Sequence, residues 1–238
     1  VVAIYSTFLQ RAYDQIVHDV CVSNAHVIFA IDRGGIVGAD GETHQGMFDI
    51  SYLCHIPNMT VMAPKNKIEF ENMINFAVEY NAPIAIRYPR GNVSLVLEDK
   101  NENIVLGKSE VIFKGKDILL GAFGSTMDNV YKAYQKLLED GYNPTLVNIR
   151  FAKPIDIDFI KSLQDYNHIF IFEDGVKSGG VYSQITDTIF DLNLKVKNIH
   201  SVSLPDKFIA QGTPDEIYEK YGLDSEGIYK KIKSTVLW

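Results

Sequence analysis

Apolar runs of four to seven residues alternate with segments of helical period along the whole chain. Strands are predicted at 1–5, 26–31, 59–63 and 84–88, and again at 117–123, 144–150, 168–173 and 196–203. Helices are predicted at 7–22, 47–54 and 66–80, then at 126–139, 156–165, 179–192, 214–221 and 225–236. Strands that alternate with helices predict parallel sheets covered by helices, so the fold class is α/β. The alternation stops once, where Asn92, Asp99, Lys100, Asn101, Glu102 and Asn103 cluster. A linker is therefore expected at 93–103, between one α/β domain at 1–92 and a second at 104–238. The run IVLGKSEVIF after it reads equally as an edge hairpin or as part of the connection.

The first helix shows how the site is expected to form. Leu9, Ala12, Tyr13, Ile16, Val17 and Val20 make one apolar stripe that packs on the sheet. Thr7 and Gln10 have capping-box spacing, which predicts a helix starting near Phe8, directly after the strand. Tyr5, Phe8 and Arg11 then crowd the carboxyl end of the sheet, the edge at which open α/β sheets bind ligands.

Composition narrows the function classes. The chain has 238 residues and a net charge of -7, which argues against a general nucleic-acid surface but leaves room for a local anion site. No apolar run approaches the roughly 20 residues that span a bilayer, so a soluble chain without membrane attachment is expected. Cys21 and Cys54 sit in apolar helical patterns without metal-like spacing, and buried free thiols in a reducing cytoplasm are expected. No Cys/His cluster suggests zinc. The chain opens VVAIY, an apolar strand already under way without an initiator Met, so a fragment is expected.

The richest chemistry lies at 32–46, DRGGIVGADGETHQG, with five glycines among Asp32, Arg33, Asp40, Glu42, His44 and Gln45. Glycine at this density lets backbone approach a ligand closely, and His and Asp can position or exchange protons near neutral pH. A long irregular loop in a compact domain also tends to be functional. The strand PIAIRYP ends in Tyr88-Pro89-Arg90-Gly91, which should bring Arg90 to the same edge as Arg33. Two guanidiniums there suit a phosphate or a carboxylate. Two weaker segments stay open. EDGVKSGG at 173–180 is either a loop at the domain interface or a plain connection, and GAFGS at 121–125 is either a phosphate-gripping turn or a helix cap.

STFLQRAYDQ at 6–15, DRGGIVGADGETHQG at 32–46 and YPRG at 88–91 closely resemble the 1-deoxy-D-xylulose-5-phosphate synthase family of transketolase-like thiamine-diphosphate enzymes. RFAKPID at 150–156 and LPDKFIAQGTPDE at 204–216 extend the resemblance over essentially the entire chain. It implies a pyrimidine-binding domain, partial at its N-terminus, followed by a transketolase-like C-terminal domain. It implies condensation of pyruvate with D-glyceraldehyde 3-phosphate, with loss of carbon dioxide. Phe8 would stack on the cofactor's aminopyrimidine ring with Arg11 beside it; Tyr5, Arg33 and Arg90 would hold the acceptor phosphate; Asp40 and His44 would position substrate and move protons. The resemblance also implies a homodimer. The diphosphate and Mg2+ site, with its GDG...N motif, and the cofactor-activating glutamate would lie in an N-terminal part outside this chain, leaving no metal site here. Two other readings are another transketolase-like enzyme, such as transketolase or the β part of a 2-oxoacid dehydrogenase, and a non-catalytic assembly module.

Overall fold

The computed structural model describes residues 1–92 and 94–236; residue 93, the first of the expected linker, and residues 237 and 238, the last of the second expected domain, lie outside the described residues. Two five-stranded, mostly parallel sheets build the molecule. The first has the order β1 (Val2–Tyr5), β2 (Ile28–Asp32), β4 (Ile84–Arg87), β3 (Thr60–Met62) and β8 (Phe151–Lys153). The second has the order β10 (Asn198–Leu204), β9 (His168–Val176), β6 (Ile118–Ala122), β7 (Thr145–Asn148) and β5 (Glu110–Phe113). Only the edge strands β8 and β5 run antiparallel to their neighbours. The two-domain α/β fold is thus as expected.

Helices cover both sheets, as crossovers between parallel strands require, and two more follow β10. They are α1 (Ser6–Leu9, continued by tighter and wider turns to Cys21), α2 (Asp49–Cys54), α3 (Lys67–Glu79), α4 (Met127–Glu139), α5 (Ile157–Ser162), α6 (Val181–Asp191), α7 (Pro214–Tyr221) and α8 (Ser225–Val236). One apolar cluster runs from Leu9, Ile31, Val61 and α2 to Leu119, Ile171 and α6, so the two sheets share a core. Cys21 and Cys54 are buried free thiols within it. Burial pushes the Cys54 thiol up to about 12, which makes it an inert core group.

Two details of the first helix differ from expectation. The helix starts at Ser6, with Tyr5 at the N-cap and no side-chain cap, because the strand runs into the helix without an intervening residue and leaves Thr7 inside the first turn. A π-helical turn at Ile16–Cys21 then shifts the stripe by one residue. Leu9, Ile16 and Cys21 are buried, Ala12, Val17 and Val20 only partly, and Tyr13 faces outward and bonds His55 through its hydroxyl.

RFAKPID also acts differently from a plain strand end. Phe151–Lys153 leaves the second sheet and becomes the antiparallel edge of the first, pairing with β3. Glu110–Phe113 forms an edge strand on β7 rather than a hairpin, and residues 104–109 belong to the connection. The polar connection before it turns inward. Lys65 Nζ donates to Glu110 at 2.7 Å and to Asn101 at 3.2 Å; Arg150 donates to Glu69 at 2.6 Å and to the Glu102 and Asn103 carbonyls. Asn148 also donates to Glu69, and Lys65, Glu69, Glu110, Asn148 and Arg150 are all buried. Charges taken out of water in this way must be paired. Their partners come from both sides of the proposed boundary, so the cluster fastens the domains to each other.

Glu69 accepts bonds from Lys65, Asn148 and Arg150, so its removal leaves the Lys65 N–H and Arg150 Nε without their acceptor and Asn148 with Glu110 alone. Glu69→Ala is expected to lower unfolding free energy by about 3–5 kcal/mol. Urea unfolding checks this, and a loss below about 1 kcal/mol would contradict the fastening role.

Candidate active site

Sheet register sets the site. Tyr5 pairs with Asp32 and Ile31 with Arg87, so β1, β2 and β4 end at one level and release their next residues into the same space. Arg33 takes φ +61°, a left-handed conformation uncommon for a side chain other than glycine, and so turns sharply off β2. Asp32 supports that turn by accepting the Arg33 N–H at 2.7 Å and pairing with its guanidinium.

All seven predicted site residues form one connected group. Tyr5 and Phe8 stack with centroids 5.0 Å apart, and Arg33 lies over the Tyr5 ring at 3.7 Å. Arg11 stands 5.7 Å from the Phe8 centroid, and His44 meets the same ring edge-on at 5.6 Å. Asp40 joins the two guanidiniums, at 3.1 Å from Arg90 Nη1 and 3.9 Å from Arg33 Nε. That longer distance is not a hydrogen bond. Arg33 Nε is buried and has no hydrogen-bond partner among the described residues.

Two cavities flank this group. One of about 310 Å³ is lined by Arg33, Arg90, Tyr88, Asn66, Ser94 and Ser125. The other, about 630 Å³, is lined by Phe8, Arg11, His44, Gln45, Phe48 and Phe208. Phe8 keeps 39% of its surface exposed there, so part of an apolar ring faces the cavity. Among the described residues no group of three or more His, Cys, Asp or Glu is placed to hold a metal ion, and no helix is long and apolar enough to cross a membrane.

Several residues that shape the site were given no role from sequence. Gln45 is buried and accepts the Val37 N–H at 2.9 Å, closing the loop on itself. Arg87, buried at the end of β4, donates to Asp49 at 2.8 Å, to Asp174 and to the Gly46 carbonyl at 3.2 Å. Burial works against its positive charge, but Asp174 and Asp49 more than offset this and hold it charged. Burial pushes the Asp49 carboxyl above its ordinary value despite Arg87. A charged residue inside the apolar run PIAIRYP was the available signal. EDGVKSGG proves to be an interface element: Glu173 and Asp174 extend β9 and are fully buried. GAFGS forms the turn into α4, where Gly124 packs on Ala63 of the first domain.

The family follows from comparison. Residues 1–95 match the transketolase pyrimidine-binding domain and residues 107–228 the transketolase C-terminal domain, and the chain belongs to the transketolase family. Within it, the chain is similar to the C-terminal portion of 1-deoxy-D-xylulose-5-phosphate synthase. It is 45% identical to that enzyme from Lachnoclostridium phytofermentans, covering 98% of this chain and 37% of the relative. It is 44% identical to that of Dictyoglomus thermophilum, covering 99% and 38%. The chain thus spans less than two fifths of these relatives. A solved split-gene transketolase, described as an inactive beta4 tetramer, superposes with a TM-score of 0.86 at 22% identity, over 98% of this chain and 74% of that one. Transketolase of Campylobacter jejuni gives 0.77 at 16% identity, over 98% and 35%. These two establish the fold.

Glu173 has a measurable signature. It accepts the Val181 and Tyr182 N–H groups at the start of α6, and burial pushes its carboxyl from 4.5 up to about 7. The folded state therefore holds the proton more tightly than the unfolded one. Stability should fall as pH rises from about 4.5 through about 7, by roughly 3 kcal/mol in all. Urea unfolding at about pH 5 and about pH 8 checks this, and Glu173→Gln should flatten the difference.

Proposed function

We propose that this chain carries the acceptor side of a thiamine-diphosphate-dependent carboligase that condenses pyruvate with D-glyceraldehyde 3-phosphate to 1-deoxy-D-xylulose 5-phosphate and carbon dioxide. The observation that supports it most is the convergence of Arg33 and Arg90 on one carboxylate, with Arg33 Nε left without a partner. A phosphate monoester has more oxygens and more charge than Asp40 and offers each guanidinium a full set of acceptors. On binding, it takes the place of Asp40 on Arg90. Tyr5 backs the Arg33 guanidinium with its ring and keeps it aimed at that position.

The second cavity suits the cofactor, since the part-exposed Phe8 ring gives it an apolar wall, with Arg11 and His44 beside that ring. When bound, thiamine diphosphate supplies the nucleophilic carbon and the electron sink that decarboxylation requires. Phe8 orients the pyrimidine ring, and Arg11 adds positive charge beside it. His44 bonds Thr43 through Nδ1 at 2.9 Å, which leaves Nε2 to exchange a proton with substrate. Asp40, freed from Arg90, orients the acceptor hydroxyl.

Mg2+ and the diphosphate are held by the N-terminal part of the same enzyme, and the working assembly is a cytoplasmic homodimer. The division into 1–92, a connection at 93–103 and 104–238 belongs to this reading.

The isolated chain is expected to give no turnover of pyruvate with D-glyceraldehyde 3-phosphate, even with thiamine diphosphate and Mg2+; robust turnover would contradict dependence on an N-terminal part. In the complete enzyme, Arg90→Ala should raise KM for D-glyceraldehyde 3-phosphate by about 10-fold or more and change KM for pyruvate by less than about 2-fold. Steady-state kinetics with each substrate varied checks this. Equal effects on both would remove the phosphate role.

A further inference from the structure

The loop that carries Arg33, Asp40 and His44 closes at a neck, where Gly35 and Gly46 exchange two backbone hydrogen bonds of 2.7 Å. The neck leaves no room on either side. Gly35 has φ +79°, and a Cβ there would lie 2.0 Å from Asp174 Oδ2; one on Gly34 would lie 2.6 Å from Arg87 Cγ. Arg87 donates to the neck itself, at the Gly46 carbonyl. Asp174 is fully buried on β9 of the second sheet, held by Arg87 through Oδ1 and by the Ser125 hydroxyl through Oδ2 at 3.0 Å.

Arg87 already has a carboxylate from its own domain, Asp49. A second one sets two carboxyl groups against one guanidinium in a dry environment, and burying ionic groups adds little stability over an apolar packing of equal volume. Stability alone is a poor reason for Asp174. The contacts supply a better one, because its carboxylate forms the floor under Gly35.

We infer that Asp174, supplied by the C-terminal domain, is a positioning residue for the acceptor site: it fixes the neck of the 33–46 loop through Gly35 and Arg87, and with it Arg33, Asp40 and His44. Farther along the loop a second contact acts in the same sense, since a Cβ on Gly38 would lie 2.9 Å from the Gly212 carbonyl of the same domain. The C-terminal domain is then a support for the chemistry of the first. The inference rests on reading the loop as the acceptor side.

The test is hydrogen exchange on the complete enzyme carrying Asp174→Asn, which keeps the volume and removes the charge. Peptides spanning 34–46 should exchange about 10-fold faster or more, while those of β6 and of 168–172 on β9 stay within about 2-fold. KM for D-glyceraldehyde 3-phosphate should rise more than KM for pyruvate. Unchanged exchange in 34–46, or equal loosening of β6 and β9, would overturn the inference. Gly35→Ala strikes the same contact from the loop side and decides the matter if Asp174→Asn does not fold. It should loosen the same peptides, and the double variant should loosen them by less than the product of the two single effects. If the wild-type enzyme fails to form the product, the acceptor reading falls, while the exchange data still show whether Asp174 holds the loop.

Discussion

A single guanidinium buried where the two sheets meet carries much of the architecture. Arg87 ends β4 and ties together the N-terminus of α2 through Asp49, the active loop through Gly46 and the second sheet through Asp174. Buried ionic groups of this kind contribute little net stability, yet they exclude arrangements that would leave a charge unpaired. Sliding one domain against the other by a residue would part Arg87 from Asp174, and in the second buried cluster Lys65 from Glu110 and Arg150 from Glu69. The shared apolar core holds the domains together, and the two ionic clusters set where they stop.

The same logic explains the shape of the site. Strands of the first sheet end at one level, so Tyr5, Arg33 and Arg90 emerge together without any long-range adjustment. Arg33 pays for its left-handed backbone through Asp32, which takes both its N–H and its guanidinium. In a chain with net charge -7, the positive charge of Arg33 and Arg90 is thereby brought to one edge. Asp40 neutralises it when no ligand is present. On the proposed reading an acceptor displaces that carboxylate, which favours a doubly charged phosphate over a singly charged carboxylate.

Much of this was legible in the sequence because it depends on local pattern. Alternating periods showed the strands and helices, and the turns after β2 and β4 placed Arg33 and Arg90 at one edge on local pattern alone. What stayed hidden depends on contacts across long stretches of chain. Nothing local distinguishes Phe151–Lys153, which crosses to the first sheet, from the end of an ordinary strand. The polarity of Asn101, Glu102 and Asn103 suggested a solvated linker, whereas their side chains and carbonyls satisfy buried cations. Thr7 and Gln10 have the right spacing for a cap, but helix entry directly from β1 places the cap at Tyr5. Asp174 was visible only as part of a segment with two open readings, since its partners Arg87 and Gly35 lie far away in sequence.

The position of the acceptor phosphate tests the central claim most directly. In a crystal structure of the complete enzyme with D-glyceraldehyde 3-phosphate bound, the phosphate should lie between Arg33 and Arg90, accept from Arg33 Nε and leave Asp40 turned away from Arg90. A phosphate bound elsewhere, with the Asp40–Arg90 pair intact, would contradict the account.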